Sequence, residues 1–248
     1  MNAQKMKIGI LGTGTVGRGL AGKLTQLGHD VVMGTRDVAS TLAVSKPDLF
    51  GEPPFSDWHK KNQKIRLDTF VKAAAHGEMV INATRGTVSL DVLRIAGAEN
   101  LNGKVILDVA NELDFSKGMP PRSLAKDEES LGERIQKAFP ETQVVKSLNT
   151  MRASVMVDPA AVANGDHTVF VSGNDAGAKR VVVELLQSFG WKDVIDLGDI
   201  TSARGTEMLL PVWLRLWGTL GTPDFNFKIA RNLKRLWDRT SQSRQIIK

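Results

Sequence analysis

The chain has no cysteine among its 248 residues, which excludes disulfides, thiolate metal sites and a cysteine nucleophile and fits a reducing compartment. Histidine is scarce too: His29, His59, His76 and His167 are scattered without ligand spacing, so isolated core or surface histidines are expected rather than a metal centre. No apolar run reaches the roughly 18 residues that a membrane span needs. Residues 1–7 place two lysines ahead of a short apolar segment, not the long apolar core and cleavage site of a secretion signal, so a cytoplasmic location is expected. A distributed excess of charge is also missing. The net charge is +6, and the seven basic residues and single aspartate of residues 228–248 account for all of it, leaving 26 basic and 26 acidic residues before them. The basic character belongs to a tail, and neither nucleic acid nor a membrane is expected as a partner.

Apolar residues make up 42% of the chain and charged residues 24%, the balance of a globular protein, and the length suits one main domain with a small appendage. Residues 6–11 are an apolar run closed by Gly12, residues 17–27 repeat apolar positions at helical spacing, and residues 30–33 are a second apolar run. This predicts a strand, helix, strand unit long enough for a right-handed crossover. Residues 47–62, with Pro47, Pro53 and Pro54, read as a surface loop. Further on, helices are predicted at 69–75, 89–96, 130–139 and 176–189, and strands at 79–82, 104–108, 144–148, 168–172 and 194–197. Such alternation argues an α/β fold with a mostly parallel sheet and helices on both faces. Residues 1–199 read as this domain. Residues 200–248 read as a helical segment, with one helix-compatible stretch over 201–220, interrupted at Pro211, and another over 226–238 carrying Ile229, Leu233, Leu236 and Trp237 on one face.

The chemistry begins at Gly12-Thr13-Gly14-Thr15-Val16-Gly17, a G-x-G-x-x-G directly after the first strand and opening the first helix. That context makes it a Rossmann-type dinucleotide-binding turn, in which the glycines allow a tight turn, close approach of backbone to pyrophosphate and close helix packing. Where the second strand ends, an NAD site usually presents an acid; here the residues are Gly34-Thr35-Arg36. A threonine hydroxyl and a guanidinium can both donate to a 2′-phosphate, which favours NADP, while Asp37 is the nearest acid that could serve the ribose of NAD instead. Three later strands end in small polar residues: Asn82-Ala83-Thr84, the stretch from Asp108 to Asn111, and Asn149-Thr150. In an open parallel sheet these ends should converge on the nicotinamide, unless they simply cap the helices that follow.

Taken together, Ile8-Gly9-Ile10-Leu11-Gly12-Thr13-Gly14, Gly34-Thr35-Arg36, Leu107-Asp108-Val109-Ala110-Asn111, Val145-Lys146-Ser147-Leu148-Asn149-Thr150 and Gly173-Asn174-Asp175 resemble the NADP oxidoreductases dependent on the deazaflavin coenzyme F420. The likeness continues through residues 199–204 and Glu207, and the same domain resembles the NADPH-binding part of membrane ferric reductases. The resemblance implies reversible hydride transfer between NADPH and a deazaflavin or flavin-like acceptor, a reaction that asks mainly for two rings held together. It also implies that Gly12, Thr13, Gly14, Thr15, Val16, Thr35 and Arg36 hold NADP(H). Asn82, Ala83, Asn149 and Thr150 would line the transfer cleft, and Leu209, Pro211 and Trp213 would wall the second-cofactor pocket, where plain core or a homodimer contact is the alternative. In two places the chain departs from the pattern: Ser40 stands near where some relatives carry a lysine, and Glu112 where proline commonly follows Asn111. The basic tail, with Arg231, Lys234, Arg235 and Arg239, is either a solvated face or an attractor for an acidic cofactor. Other functions consistent with the sequence are an NADPH-dependent reductase of a small imine or carbonyl, as in pyrroline-carboxylate reductases, and a redox sensor that binds NADPH without turnover.

Overall fold

The computed structural model describes residues 5–47, 51–118 and 121–232. Strand β1 (Lys7–Leu11), helix α1 (Thr15–Gln26) and strand β2 (Asp30–Thr35) build the first crossover unit. α1 opens ahead of its apolar spacing because its first buried position is Gly17, the third residue of the helix. Two short helices, α2 (Val38–Ala43) and α3 (Phe55–Lys61), then lead to strand β3 (Arg66–Thr69) and helix α4 (Phe70–His76). The loop expected over residues 47–62 is thus partly helical. Pro54 ends the extended stretch as the residue before α3, and Phe55 is buried in the main core, which gives this turn of helix the packing that its polar sequence hides.

The alternation continues through β4 (Met79–Asn82), α5 (Gly86–Ala96), β5 (Val105–Asp108), a small hairpin of β6 (Leu113–Asp114) and β7 (Arg122–Ser123), α6 (Leu131–Ala138) and β8 (Gln143–Ser147). α7 (Ala153–Val157), β9 (Thr168–Gly173), α8 (Ala176–Phe189) and β10 (Asp193–Asp196) complete the sheet, and α9 (Ala203–Met208) and α10 (Leu210–Leu220) follow it. The eight-stranded sheet has the order β10-β9-β8-β5-β4-β1-β2-β3. Six strands run parallel, and β9, paired antiparallel with β8, brings β10 with it in the reversed direction. One face packs Leu20 and Leu24 of α1, Val155 of α7 and Val182 and Leu186 of α8. The other packs Ala73 of α4, Val92 of α5 and Ile135 of α6. Both faces of the central strands are therefore covered, which is why those strands read as continuous apolar runs.

The helix predicted over residues 226–238 is absent over 226–232, which run without helical structure. The Thr168 amide donates to the Phe227 carbonyl at 2.9 Å, and the Ile229 amide to Thr168 Oγ1 at 3.0 Å, so this stretch spends its backbone groups on β9 instead of on itself. Lys228 pairs with Asp166 and Arg231 with Asp193. Leu233, Lys234, Arg235, Leu236, Trp237 and Arg239 lie outside the described residues.

Candidate functional site

The order in which successive strands are added reverses between the parallel neighbours β1 and β4, so their carboxyl ends open the crevice in which such folds take a nucleotide. The glycine turn borders it. Gly12 has φ +116°, and a Cβ there would lie 2.5 Å from the Ala83 carbonyl oxygen, so only glycine fits. A Cβ on Gly17 would lie 2.3 Å from the Gly12 carbonyl, which is how α1 starts so close to the turn. Gly14 differs: a Cβ would meet nothing within 4 Å. Nothing in the protein requires glycine at this position, and the space beside it is what an approaching phosphate needs. Gly14 is also the cap residue of α1, with no side-chain capping bond and no acid in the helix's first turn. The positive end of the helix is left to an anion. The turn therefore fits a dinucleotide pyrophosphate.

At the end of β2, Thr35 is buried and its Oγ1 lies 2.7 Å from Thr41 Oγ1, whose own proton goes to the Asp37 carbonyl at 2.9 Å. Thr35 must then be the donor of the pair, and its hydroxyl proton is engaged inside the protein. Arg36 is exposed and, among the described residues, has no ion-pair partner. Asp37 is committed elsewhere: it caps α2, accepting from the Ser40 amide at 2.6 Å, and hydrogen bonds from the Ser40 side chain and backbone hold its carboxyl below the usual range. What the end of β2 presents is a cation and not an available acid.

The polar ends of β4, β5 and β8 do come together. Asn82, fully buried, donates from Nδ2 to Asp108 Oδ1 at 2.8 Å and to Ser89 Oγ at 3.0 Å, while its Oδ1 accepts the Thr84 hydroxyl at 2.7 Å. Asn111 and Asn149 bond reciprocally, Asn111 Nδ2 to the Asn149 carbonyl at 2.7 Å and Asn149 Nδ2 to Asn111 Oδ1 at 3.1 Å. Asn149 Nδ2 also reaches the Thr206 carbonyl at 3.1 Å, which fastens α9 to this end of the sheet. Leu148, between β8 and Asn149, has φ +63°, a left-handed conformation that costs a branched residue on the order of 1–2 kcal/mol. Ala83, Thr84 and Asn111 are half-buried and form the accessible surface of this end, whereas Asn82, Asn149 and Thr150 are buried beneath it. Asn111 and Asn149 thus act on each other and on backbone carbonyls, and Asn82 on the side chains of Asp108, Ser89 and Thr84.

Beneath them lies a group that sequence reasoning did not single out as a site. Lys146 is fully buried, and its ammonium donates to Asp108 Oδ2 at 2.8 Å and the Ala110 carbonyl at 2.6 Å and lies 3.0 Å from Glu207 Oε1. Burial opposes its charge, but Asp108 and Glu207 outweigh that and hold the lysine protonated, whereas burial pushes the Asp108 carboxyl up against the pull of Lys146. Glu207 in turn accepts from the Leu131 and Gly132 amides at 2.8 and 3.2 Å, capping α6. The signal in the sequence was slight: one lysine inside the apolar run of β8, where every neighbour is buried. Gly86 was also missed; its amide donates to the Asn111 carbonyl at 2.9 Å, and a Cβ would lie 2.5 Å from the Asn111 carbonyl carbon.

On the C-terminal helices, Leu209 is half-buried and Pro211 exposed. Trp213 is buried against Leu210 and Leu214 and stacks on Phe225 at 5.4 Å between ring centroids, so it is the centre of a small satellite core that also includes Leu113 and Phe227.

Residues 7–112 match the family model of coenzyme F420-dependent NADP oxidoreductases. A solved structure from Arthrobacter sp. FB24, of a protein provisionally assigned as an F420-dependent NADP-reductase, is 60% identical with a TM-score of 0.87, over 91% of this chain and all of that one. The F420-dependent NADP reductase of Methanocaldococcus jannaschii is 27% identical over 85% of this chain and 92% of its own length. Rat metalloreductase STEAP3 is 28% identical over 84% of this chain, which spans only 38% of that longer protein. With the glycine turn, the doubly wound sheet and the cation at the end of β2, these likenesses show that the chain belongs to the coenzyme F420-dependent NADP oxidoreductase family and is an NADP-dependent oxidoreductase.

Proposed function

We propose that the protein transfers hydride between NADPH and a deazaflavin of the F420 type. The observation that carries this reading is the juxtaposition, at one end of the sheet, of the open space beside Gly14, an Arg36 without an ion-pair partner among the described residues, and the polar ends of β4, β5 and β8 locked to α9. Nicotinamide and deazaflavin supply the hydride chemistry between them when bound. The chain's own work is to hold and orient: Gly12, Thr13, Gly14, Thr15, Val16 and Gly17 take the pyrophosphate, and Arg36 takes the 2′-phosphate. Thr35 acts from beneath through Thr41. Ala83, Thr84 and Asn111 line the transfer cleft over the buried Asn82, Asn149 and Thr150. Residues 1–199 form the dinucleotide domain in this reading, and residues 200–248 bear the second-cofactor wall, with Leu209 and Pro211 as its outward part and Trp213 as its support. The likeness to the archaeal reductase over nearly its whole length supports F420 as the acceptor.

A cytoplasmic place of action belongs to the same proposal, as does pairing with a second copy. Met208, Val212 and Leu220 are exposed at four- and eight-residue spacing along α9 and α10, an apolar strip suited to an isologous contact. Sedimentation of the purified protein tests the pairing. The reaction is tested by offering F420, FMN, FAD and a cyclic imine in turn and following the nicotinamide absorbance, with NADPH and then NADH. Oxidation of NADPH with F420 alone is the expected result. Turnover only with the imine would make the protein an imine reductase, and tight binding of NADPH with no turnover on any acceptor would make it a sensor.

A further inference from the structure

Arg18 and helix α3 are tied to the glycine turn. Arg18 lies on the first turns of α1, and its Nε donates to the Thr13 carbonyl at 2.9 Å. One η nitrogen donates to the Pro53 carbonyl at 2.6 Å, and the guanidinium carbon sits 5.7 Å from the centre of the Phe55 ring, within cation–π range. Phe55 is itself fixed: it is buried in the main core and stacks on His59 at 5.4 Å, whose Nε2 lies 2.8 Å from the Ile65 carbonyl. The segment from Pro53 through α3 is therefore an abutment for one arginine, and that arginine grips one peptide of the turn.

In a trans peptide the carbonyl and the following amide point to opposite sides. Holding the Thr13 carbonyl on Arg18 therefore holds the Gly14 N–H facing the other way, and among the described residues no group accepts from that N–H. A peptide preceding glycine flips easily, because glycine tolerates both orientations. We infer that Arg18, braced by Pro53 and Phe55, is a positioning residue that keeps the Thr13–Gly14 peptide oriented to donate to the dinucleotide pyrophosphate. This rests on the reading of the turn as the pyrophosphate site and is independent of the acceptor.

The pyrophosphate is common to NADPH and NADH, whereas the 2′-phosphate is not, so the two cofactors separate this role from that of Arg36. The test is equilibrium binding of both cofactors, by protein fluorescence, to Arg18→Met, which keeps the apolar stem over Phe55 and removes the donors. Affinity for NADPH and NADH should fall by the same factor, about tenfold, the scale of one lost charge-assisted hydrogen bond. Arg18→Lys should recover only part of it, since one ammonium cannot span the Thr13 and Pro53 carbonyls while stacking on Phe55. Phe55→Leu should weaken both cofactors about threefold and, combined with Arg18→Met, add almost nothing. Should Arg18→Met not fold, Phe55→Leu carries the same test. Unchanged affinity in a folded variant overturns the inference, as does full recovery by lysine, which would reduce the role to charge. A loss confined to NADPH also overturns it, by placing Arg18 at the 2′-phosphate. If Arg36→Ala leaves NADPH binding intact while Arg18→Met weakens both cofactors, the 2′-phosphate assignment fails and this one stands.

Discussion

In the proposed reading Gly14 and Arg36 divide the cofactor problem between backbone and side chain, and each can be tested without disturbing the fold. A methyl group at Gly14 meets no protein atom within 4 Å, so Gly14→Ala should leave the unfolding midpoint unchanged and still weaken dinucleotide binding, because the methyl occupies the space of the phosphate. Equal losses of stability and binding would show that the glycine serves the fold. Arg36→Ala should cost roughly 1.5 to 3 kcal/mol of NADPH binding, the scale of a hydrogen bond to a charged group, and leave NADH binding almost unaffected. Titration of the two cofactors against the variant checks this. NADP use was legible in the sequence from the residue types that follow β2. The engagement of Thr35 with Thr41 and of Asp37 with Ser40 was not, since both depend on α2 turning back over the strand end.

Elements were legible where burial is complete and obscure where it is partial. β1, β2, β4, β5 and β8 are nearly all buried residues, and each reads as an apolar run. β3 has the sequence Arg-Leu-Asp-Thr, exposed at one end and only half-buried elsewhere, because it pairs on one side alone; nothing in its composition marks a strand. α3 was hidden by the prolines before it, and the stretch over 226–232 was misread because Ile229 sits at helical spacing in a segment whose amides are drawn to β9. The joint between α6 and α9 gives a pH prediction. Glu133 accepts from the Ser130 amide in a capping box and from Arg204 Nε and Nη2 at 2.8 and 2.6 Å. The Arg204 hydrogen bond, helped by those from Ser130, lowers its pKa from 4.5 to about 2. A depressed carboxylate stabilises the fold above its unfolded value and loses that contribution as pH falls through the folded one. Stability should therefore decline between about pH 4.5 and pH 2, and Glu133→Gln should be less stable at neutral pH with a shallower decline across that interval. Denaturant unfolding at several pH values measures both. An identical slope in the variant would remove Glu133 as the cause.

Across the whole molecule one buried polar chain joins the cofactor end to the C-terminal helices, running from Thr84 through Asn82, Asp108 and Lys146 to Glu207 and the start of α6. It explains how α9, which follows the last strand, comes to be fastened to the carboxyl ends of strands laid down much earlier in the chain. Lys146→Met would leave two buried carboxylates facing each other without a cation. The expected cost is about 3 to 5 kcal/mol, read from denaturant unfolding, since removing one partner of a buried ion pair strands the other. A loss under about 1 kcal/mol, the scale of an exposed pair, would show that water reaches the site. The Rossmann-type, mostly parallel sheet with helices on both faces was legible from alternation and the glycine turn, but the reversal of β9 and β10 was not, because an apolar run carries no direction. The central claim is that this architecture brings a nicotinamide and a deazaflavin face to face. Its most direct test is one turnover of NADPH carrying deuterium at the transferable nicotinamide position, with F420 as acceptor and the reduced deazaflavin analysed by mass. Deuterium retained in the product is the expected result; reduced deazaflavin without deuterium, or no reduction while NADPH stays bound, would contradict it.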